Sequence, residues 1–202
     1  MLPAMDKSSR QRILEATIEA IDRGGETSVR IIDVSEAAGV TQGLVTYHFR
    51  TRDQLIAEAS TARFVATISE DIAIMQAALP SLKSVDDLRQ LAEKMTTLLL
   101  LPERVAARRR RLNAMGFAIQ SPTAKEAITA VQTQVVDAFT DMIVYAQTIG
   151  IARTDLDARA MATMILSYTF GIVMKEFDQN PPSDDDLFKV ITAFVMNLLA
   201  AQ

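Results

Sequence analysis

The feature that most constrains this chain is a corner. Residues 36–49 read Glu-Ala-Ala-Gly-Val-Thr-Gln-Gly-Leu-Val-Thr-Tyr-His-Phe. Ala37 is small enough for a second helix to cross closely. Gly39 supplies the left-handed turn that other residues resist, and Val40 plugs the corner. Thr41 is placed to cap the next helix, its hydroxyl oxygen accepting from an amide one turn in. In that helix Val45 and Phe49 stand four apart and face inward. Two short helices meeting at such a glycine form a helix-turn-helix.

What the second helix leaves outside gives the chemistry. Gln42, Gly43, Thr46 and Tyr47 fall on or near its outer face. Gln pairs bidentately with adenine, and Thr offers a methyl and a hydroxyl to base edges. Gly43 lets backbone approach closely. Tyr47 and His48 bring a hydroxyl and an imidazole to phosphate. Leu44 is open between a thymine methyl and internal packing. Arg50 and Arg52 follow, with no acid between Thr41 and Arg52. Thr51 is placed to cap a further helix whose first amides suit a phosphate. This set fits the major groove of duplex DNA.

The rest of the chain is helical in pattern. Apolar residues recur at three and four, and no alternation of β-branched residues is sustained. Helices are expected over 8–23, with Leu14, Ile18 and Ile21 as its stripe, over 52–78, and from Ser84 with Asp86 and Asp87 in its first turn. Further helices start at Pro102 and Pro122 as N1 prolines. The last two run from the pair Thr154 and Asp157 through Phe177, and from Ser183 onward. The fold class is therefore all-α, with about nine helices. A three-helix helix-turn-helix domain (1–51) joins a helical bundle (52–202) through the long helix that begins at Arg52.

Composition narrows the function. The chain has no cysteine and one histidine, His48, which excludes disulfides, thiolate chemistry and Cys-ligated metals and argues against a His-based zinc site or a catalytic triad, so no metal is expected. No nucleophile–base pair or phosphate loop appears, so an enzyme and a cofactor are not expected. No apolar run has membrane length and the polar start has no signal-peptide core, which points to the cytoplasm. The net charge is −4. Residues 1–63 hold eight basic and nine acidic side chains, so DNA contact has to come from local placement.

In the bundle, Met95, Met115, Phe117, Phe139, Met142 and Tyr168 are the candidates for a ligand cavity, since adaptable methionines suit apolar pockets. Two stripes, Met161, Met164, Ile165, Tyr168 and Ile172, then Val190, Ile191, Phe194 and Leu198, are candidates for an isologous dimer contact. The run Arg108 to Arg111 spreads around its helix, so its arginines are expected to be solvated or salt-bridged.

The segment Ala37-Ala38-Gly39-Val40-Thr41, then Gly43, then Tyr47-His48-Phe49-Arg50-Thr51-Arg52-Asp53-Gln54-Leu55 resembles the tetracycline-repressor (TetR) family. Ile13-Leu14, Ala16 and Gly25 fit the same pattern. The resemblance covers roughly the first sixty residues; beyond them only the helical layout agrees. It implies a homodimeric repressor, released from a roughly palindromic operator by a small apolar or amphipathic effector. Carried over by position, its DNA-contact residues are Gln42, Gly43, Thr46, Tyr47, His48 and Arg52; Arg30, Thr41 and Leu44 complete the candidate set from the reading of the residues themselves. One departure stands out: Arg30-Ile31-Ile32 puts Ile32 where the family has a basic residue, with Arg30 as its replacement. A ligand-binding helical dimer or adaptor without DNA binding is the alternative.

Overall fold

The computed structural model describes residues 8–201, apart from the side chains of Thr67, Glu70, Asp71 and Glu103. The polar start read at residues 1–7 lies outside them. The described chain forms nine α-helices: α1 Ser9–Gly24, α2 Ile31–Ala37, α3 Gln42–His48, α4 Arg52–Ala78, α5 Val85–Leu100, α6 Glu103–Gln120, α7 Pro122–Thr148, α8 Ala158–Gly171 and α9 Asp184–Leu199. Short 3-10 turns cover Glu26–Ser28, Leu79–Ser81 and Ile172–Phe177.

The helix ends follow side-chain chemistry. Ser8, Ser84, Asp157 and Ser183 each accept from an amide in the first turn of α1, α5, α8 and α9. Thr51 Oγ1 accepts from Gln54 N at 3.1 Å and opens α4. Pro122 starts α7 as an N1 proline. Pro102 instead lies one residue before α6. The helix expected to reach Phe177 is α-helical only to Gly171 and then tightens to 3-10. Asp157 supplies its cap, through Ala160 N at 2.8 Å.

Packing divides the chain into two compact units. One holds residues up to Ala66 together with Asn113–Val131; the other holds Thr67–Leu112 and Gln132–Gln202. In the first, Ile13, Ala16, Ile21, Val29, Val34, Ala38, Val45, Phe49, Leu55, Ile56 and Ala59 form one core. The stripe of α1 is turned by one residue from the expected one. Ile13, Ala16, Thr17 and Ile21 are buried, while Leu14 and Ile18 sit half-buried at its edge. Thr17 is tolerated inside because its hydroxyl donates to Ile13 O at 2.7 Å.

In the second unit α9 packs extensively on α5 and also touches α8. The end of the chain is tied back by Arg153 N to Leu199 O at 2.9 Å and Ala201 N to Ile151 O at 3.2 Å. None of the described helices is long and apolar enough to cross a membrane.

Candidate nucleic-acid interface and bundle cavity

The corner between α2 and α3 is built as its residues require. Gly39 has φ +64°, where a side chain would be strained. Val40 N returns to Ser35 O at 3.0 Å, and Val40 packs against the core. The small residue at the crossing is Ala38, buried; Ala37, expected there, is exposed. Thr41 Oγ1 accepts from Leu44 N at 3.3 Å and caps α3. Val45 and Phe49 are fully buried and anchor the helix from below. Its outer face is then fixed. Gln42, Gly43, Thr46 and Tyr47 are exposed, Tyr47 by 80%, while Leu44 is half-buried.

The polar atoms of this face are partly committed. Thr46 Oγ1 donates to Gln42 O at 3.1 Å. His48 Nε2 and Ser9 Oγ share a hydrogen bond of 2.8 Å, and Tyr47 stands edge-on to the His48 ring. His48 is half-buried, so one of its ring nitrogens is held inside the protein. Arg30 is exposed at the N-cap of α2 with no side-chain cap, and Ile32 beside it is 48% exposed.

Arg52 does something the sequence did not suggest. Its guanidinium donates to Val29 O at 2.7 Å, to Glu26 O at 3.1 Å and to Thr27 O at 3.0 Å. Those carbonyls belong to the turn before α2. Arg52 therefore clamps that turn while its side chain stays 39% exposed, and Arg50 beside it is exposed as well. Arg50 N donates to Gln54 Oε1 at 3.1 Å, which holds the loop against the start of α4.

The bundle contains a cavity of about 100 Å³. Ile68, Ile72, Met95, Leu98, Val135, Phe139, Ile165, Leu166 and Tyr168 give it apolar walls, and Arg104, Arg108 and Arg111 border it as well. A smaller one of about 40 Å³ shares Met95, Phe139, Ile165 and Tyr168 and adds Met142. Four of the six expected ligand residues, Met95, Phe139, Met142 and Tyr168, are thus gathered around this space. Met115 and Phe117 are not. They lie in the first unit, where Phe117 packs on the helix-turn-helix core. Burial pushes the Tyr168 phenol up to about 12, so it stays protonated as a hydrogen-bond donor.

The arginines of α6 had been expected in water or in ion pairs. Arg109 meets that description, with Nε 2.6 Å from Glu176 Oε2. Arg108 does not: only 8% of it is exposed. The signal was in the sequence, since 104, 108 and 111 recur at four and three and share one helix face.

Residues 13–59 match the family model for bacterial regulatory proteins of the tetR family. The match covers the helix-turn-helix and its flanking helices, and not the bundle. The regulator BetI of Pseudomonas fluorescens is 31% identical over 75 residues, which are 37% of this chain and 38% of that protein. The chain's match thus spans little more than a third of the curated relatives' length. Whole-chain likeness comes from solved structures. A protein from Mesorhizobium loti described as a TetR-family transcriptional regulator has a TM-score of 0.73 at 15% identity, covering 96% of this chain and 97% of its own. A transcriptional regulator from Saccharomonospora viridis, solved in complex with choline, has a TM-score of 0.67 at 20% identity, covering 96% and 98%. These two share the fold.

Within this fold the expected dimer stripes split by burial. Met161, Ile165 and Ile191 are buried inside the protomer and are not available to a partner. They follow the same helical period as the outer stripe but point the other way. Met164, Val190 and Phe194 are exposed, with Tyr168, Ile172 and Leu198 half-buried between them and the interior. Tyr168 and Phe194 pack edge to face at 6.0 Å and join α8 to α9 on that surface. Among the described residues no group of three or more His, Cys, Asp or Glu side chains is placed to hold a metal.

Proposed function

We propose that the protein is a dimeric, ligand-responsive DNA-binding regulator of transcription, acting as a repressor that a small amphipathic effector releases from its operator. The observation that carries this reading is the outer face of α3. Gln42, Gly43, Thr46 and Tyr47 stand exposed on a helix whose opposite face is locked into the core by Val45 and Phe49. A rigid helix with donors, acceptors and a methyl on its free side fits a major groove. Arg30, Arg50 and the capped start of α4 supply phosphate contacts, and Thr41, Leu44 and His48 border them. Arg52 takes part as the residue that positions the turn before α2.

Two copies related by a two-fold axis read a roughly palindromic site, with half-sites one or more DNA turns apart. Met164, Val190, Phe194 and the edge of Tyr168 are the surface assigned to the second copy. The choline held by the Saccharomonospora relative supports a small-molecule role for the bundle. α4 links the two activities through the chain itself. Leu55, Ile56 and Ala59 belong to the core of the first unit, while Ile68 and Ile72 line the cavity. An effector that changes the packing of Ile68 and Ile72 acts on the same helix that carries the DNA-binding core.

The test is selection from fragmented genomic DNA followed by gel shift at fixed salt. The reading predicts an enriched fragment containing an inverted repeat, with affinity that falls steeply as salt rises. An intact dimer that enriches nothing favours the alternative, a ligand-binding protein without DNA binding. Exposed Ile32 at a position where the family carries a basic residue is the observation that keeps that alternative in view.

A further inference from the structure

The cavity in the bundle has an apolar wall and one unusual polar group. Arg108 is buried and lines it. A buried guanidinium is costly unless its charge and its donors are matched. Here Nη1 donates to Leu99 O, and Nε is buried without a hydrogen-bond partner. Of the nearby acids, Glu176 keeps one buried oxygen, Oε1, without a partner. Glu176 Oε2 accepts from Arg109 Nε at 2.6 Å, and Asp184 is paired with Lys175. Burial lowers the proton affinity of Arg108, and the fields of Glu176 and Asp184 offset only part of that. No acid is found among the described lining residues, while Arg104 and Arg111 border the same space. Arg108 thus brings a guanidinium with a buried, unpartnered Nε to the wall of an apolar cavity, and the Nε–Nη2 edge of a guanidinium has the fork shape that matches a carboxylate.

We propose that the cavity binds an amphipathic carboxylate, its ring or short chain among Ile68, Met95, Phe139 and Tyr168 and its carboxylate on Arg108. This rests on reading the bundle as the effector domain and names the class of effector. An engineered apolar cavity of roughly 150 Å³ holds benzene. The present cavity, of about 100 Å³ beside one of about 40 Å³, suits a body of that order once flexible Met95 yields.

The experiment uses two sets of ligands that share a body and differ in the head group. They are 3-phenylpropionate, its amide and 3-phenylpropylamine, and octanoate, octanamide and octylamine. Titration calorimetry on the full chain should show one carboxylate binding about tenfold or more tighter than its amide, with the amine weakest. Arg108→Met should reduce the carboxylate to the level of the amide and leave the amide unchanged. Arg110→Met, a change in the same run at a residue that does not line the cavity, should change neither. Arg108→Lys, which keeps the charge and loses the fork, should retain the preference for anion over amine at reduced affinity. It also serves if Arg108→Met fails to fold. An amide or amine that binds as tightly as its carboxylate overturns the proposal. So does a carboxylate affinity indifferent to Arg108, or no carboxylate binding in either set. Operator binding measured on the same preparations separates the two readings. DNA binding without carboxylate binding sinks only the effector class, whereas carboxylate binding without DNA binding sinks only the regulator.

Discussion

The two compact units use the same secondary structure under different constraints. In the first, each position near the corner has one job. Gly39 must take a positive φ, Thr41 must cap, Val45 and Phe49 must be buried, and Tyr47 must be free. In the second, positions are asked for volume and face, and several residue types satisfy them. Met95, Phe139 and Tyr168 line a cavity, but Leu or Ile would read equally well from sequence. The helix-turn-helix unit is therefore specified residue by residue, while the bundle around the cavity is specified by its pattern.

Matched substitutions test this contrast most strongly. Phe49→Ala should cost about 3–5 kcal/mol, because Phe49 is enclosed on every side. Phe139→Ala should cost less, since Phe139 already borders a void and has fewer contacts to lose. Chemical denaturation of both variants checks it, and equal costs would erase the difference between a packed core and a cavity wall.

Next in size are the two arginines at the end of α3. Arg52→Met should destabilise the fold by about 1–3 kcal/mol, since three main-chain carbonyls lose their donor. Arg50→Ala should leave thermal unfolding unchanged and lower the salt dependence of operator binding. If Arg52→Met melts like the parent chain, its role as a clamp is wrong.

Smaller again is Ser183→Ala at the start of α9, expected to cost about 1 kcal/mol in a denaturant titration. The smallest effect concerns pH. The Ser84 hydroxyl, with the Lys83 amide, holds the Asp87 carboxyl below its ordinary 3.8. A depressed carboxyl stabilises the fold above its unfolded value, and the contribution disappears as pH falls through the lower folded value. The stability difference between the parent chain and Asp87→Asn should accordingly be present at neutral pH and close on acidification below about pH 4. A difference that persists in acid would assign it to packing.

The sequence made most of the first unit legible because its signals are local. Caps, the corner glycine and the four-residue spacing of Val45 and Phe49 all act within one or two turns. The clamp made by Arg52 is not legible in the sequence because its partners lie 23 to 26 residues away, and no local pattern announces them. His48 was seen as a phosphate donor, yet its Nε2 is bonded to Ser9 across 39 residues. In the bundle, periodicity found the helices but not which side of each faces inward. That is why Met161, Ile165 and Ile191 stood among the dimer candidates although they are core. Phe117 shows the same limit at the level of units, since nothing in its own helix says that it packs on the helix-turn-helix.

The central claim is that α3 is the surface that reads DNA. It is tested most directly by comparing the parent chain with Tyr47→Ala on the genomic fragment that the parent enriches, by gel shift at one salt concentration. Tyr47 is 80% exposed, so its removal leaves the core intact. The account predicts that binding falls by about 10- to 100-fold, as expected for the loss of a contact of about 1–3 kcal/mol, with the melting temperature unchanged. Undiminished binding by a folded Tyr47→Ala protein would contradict it.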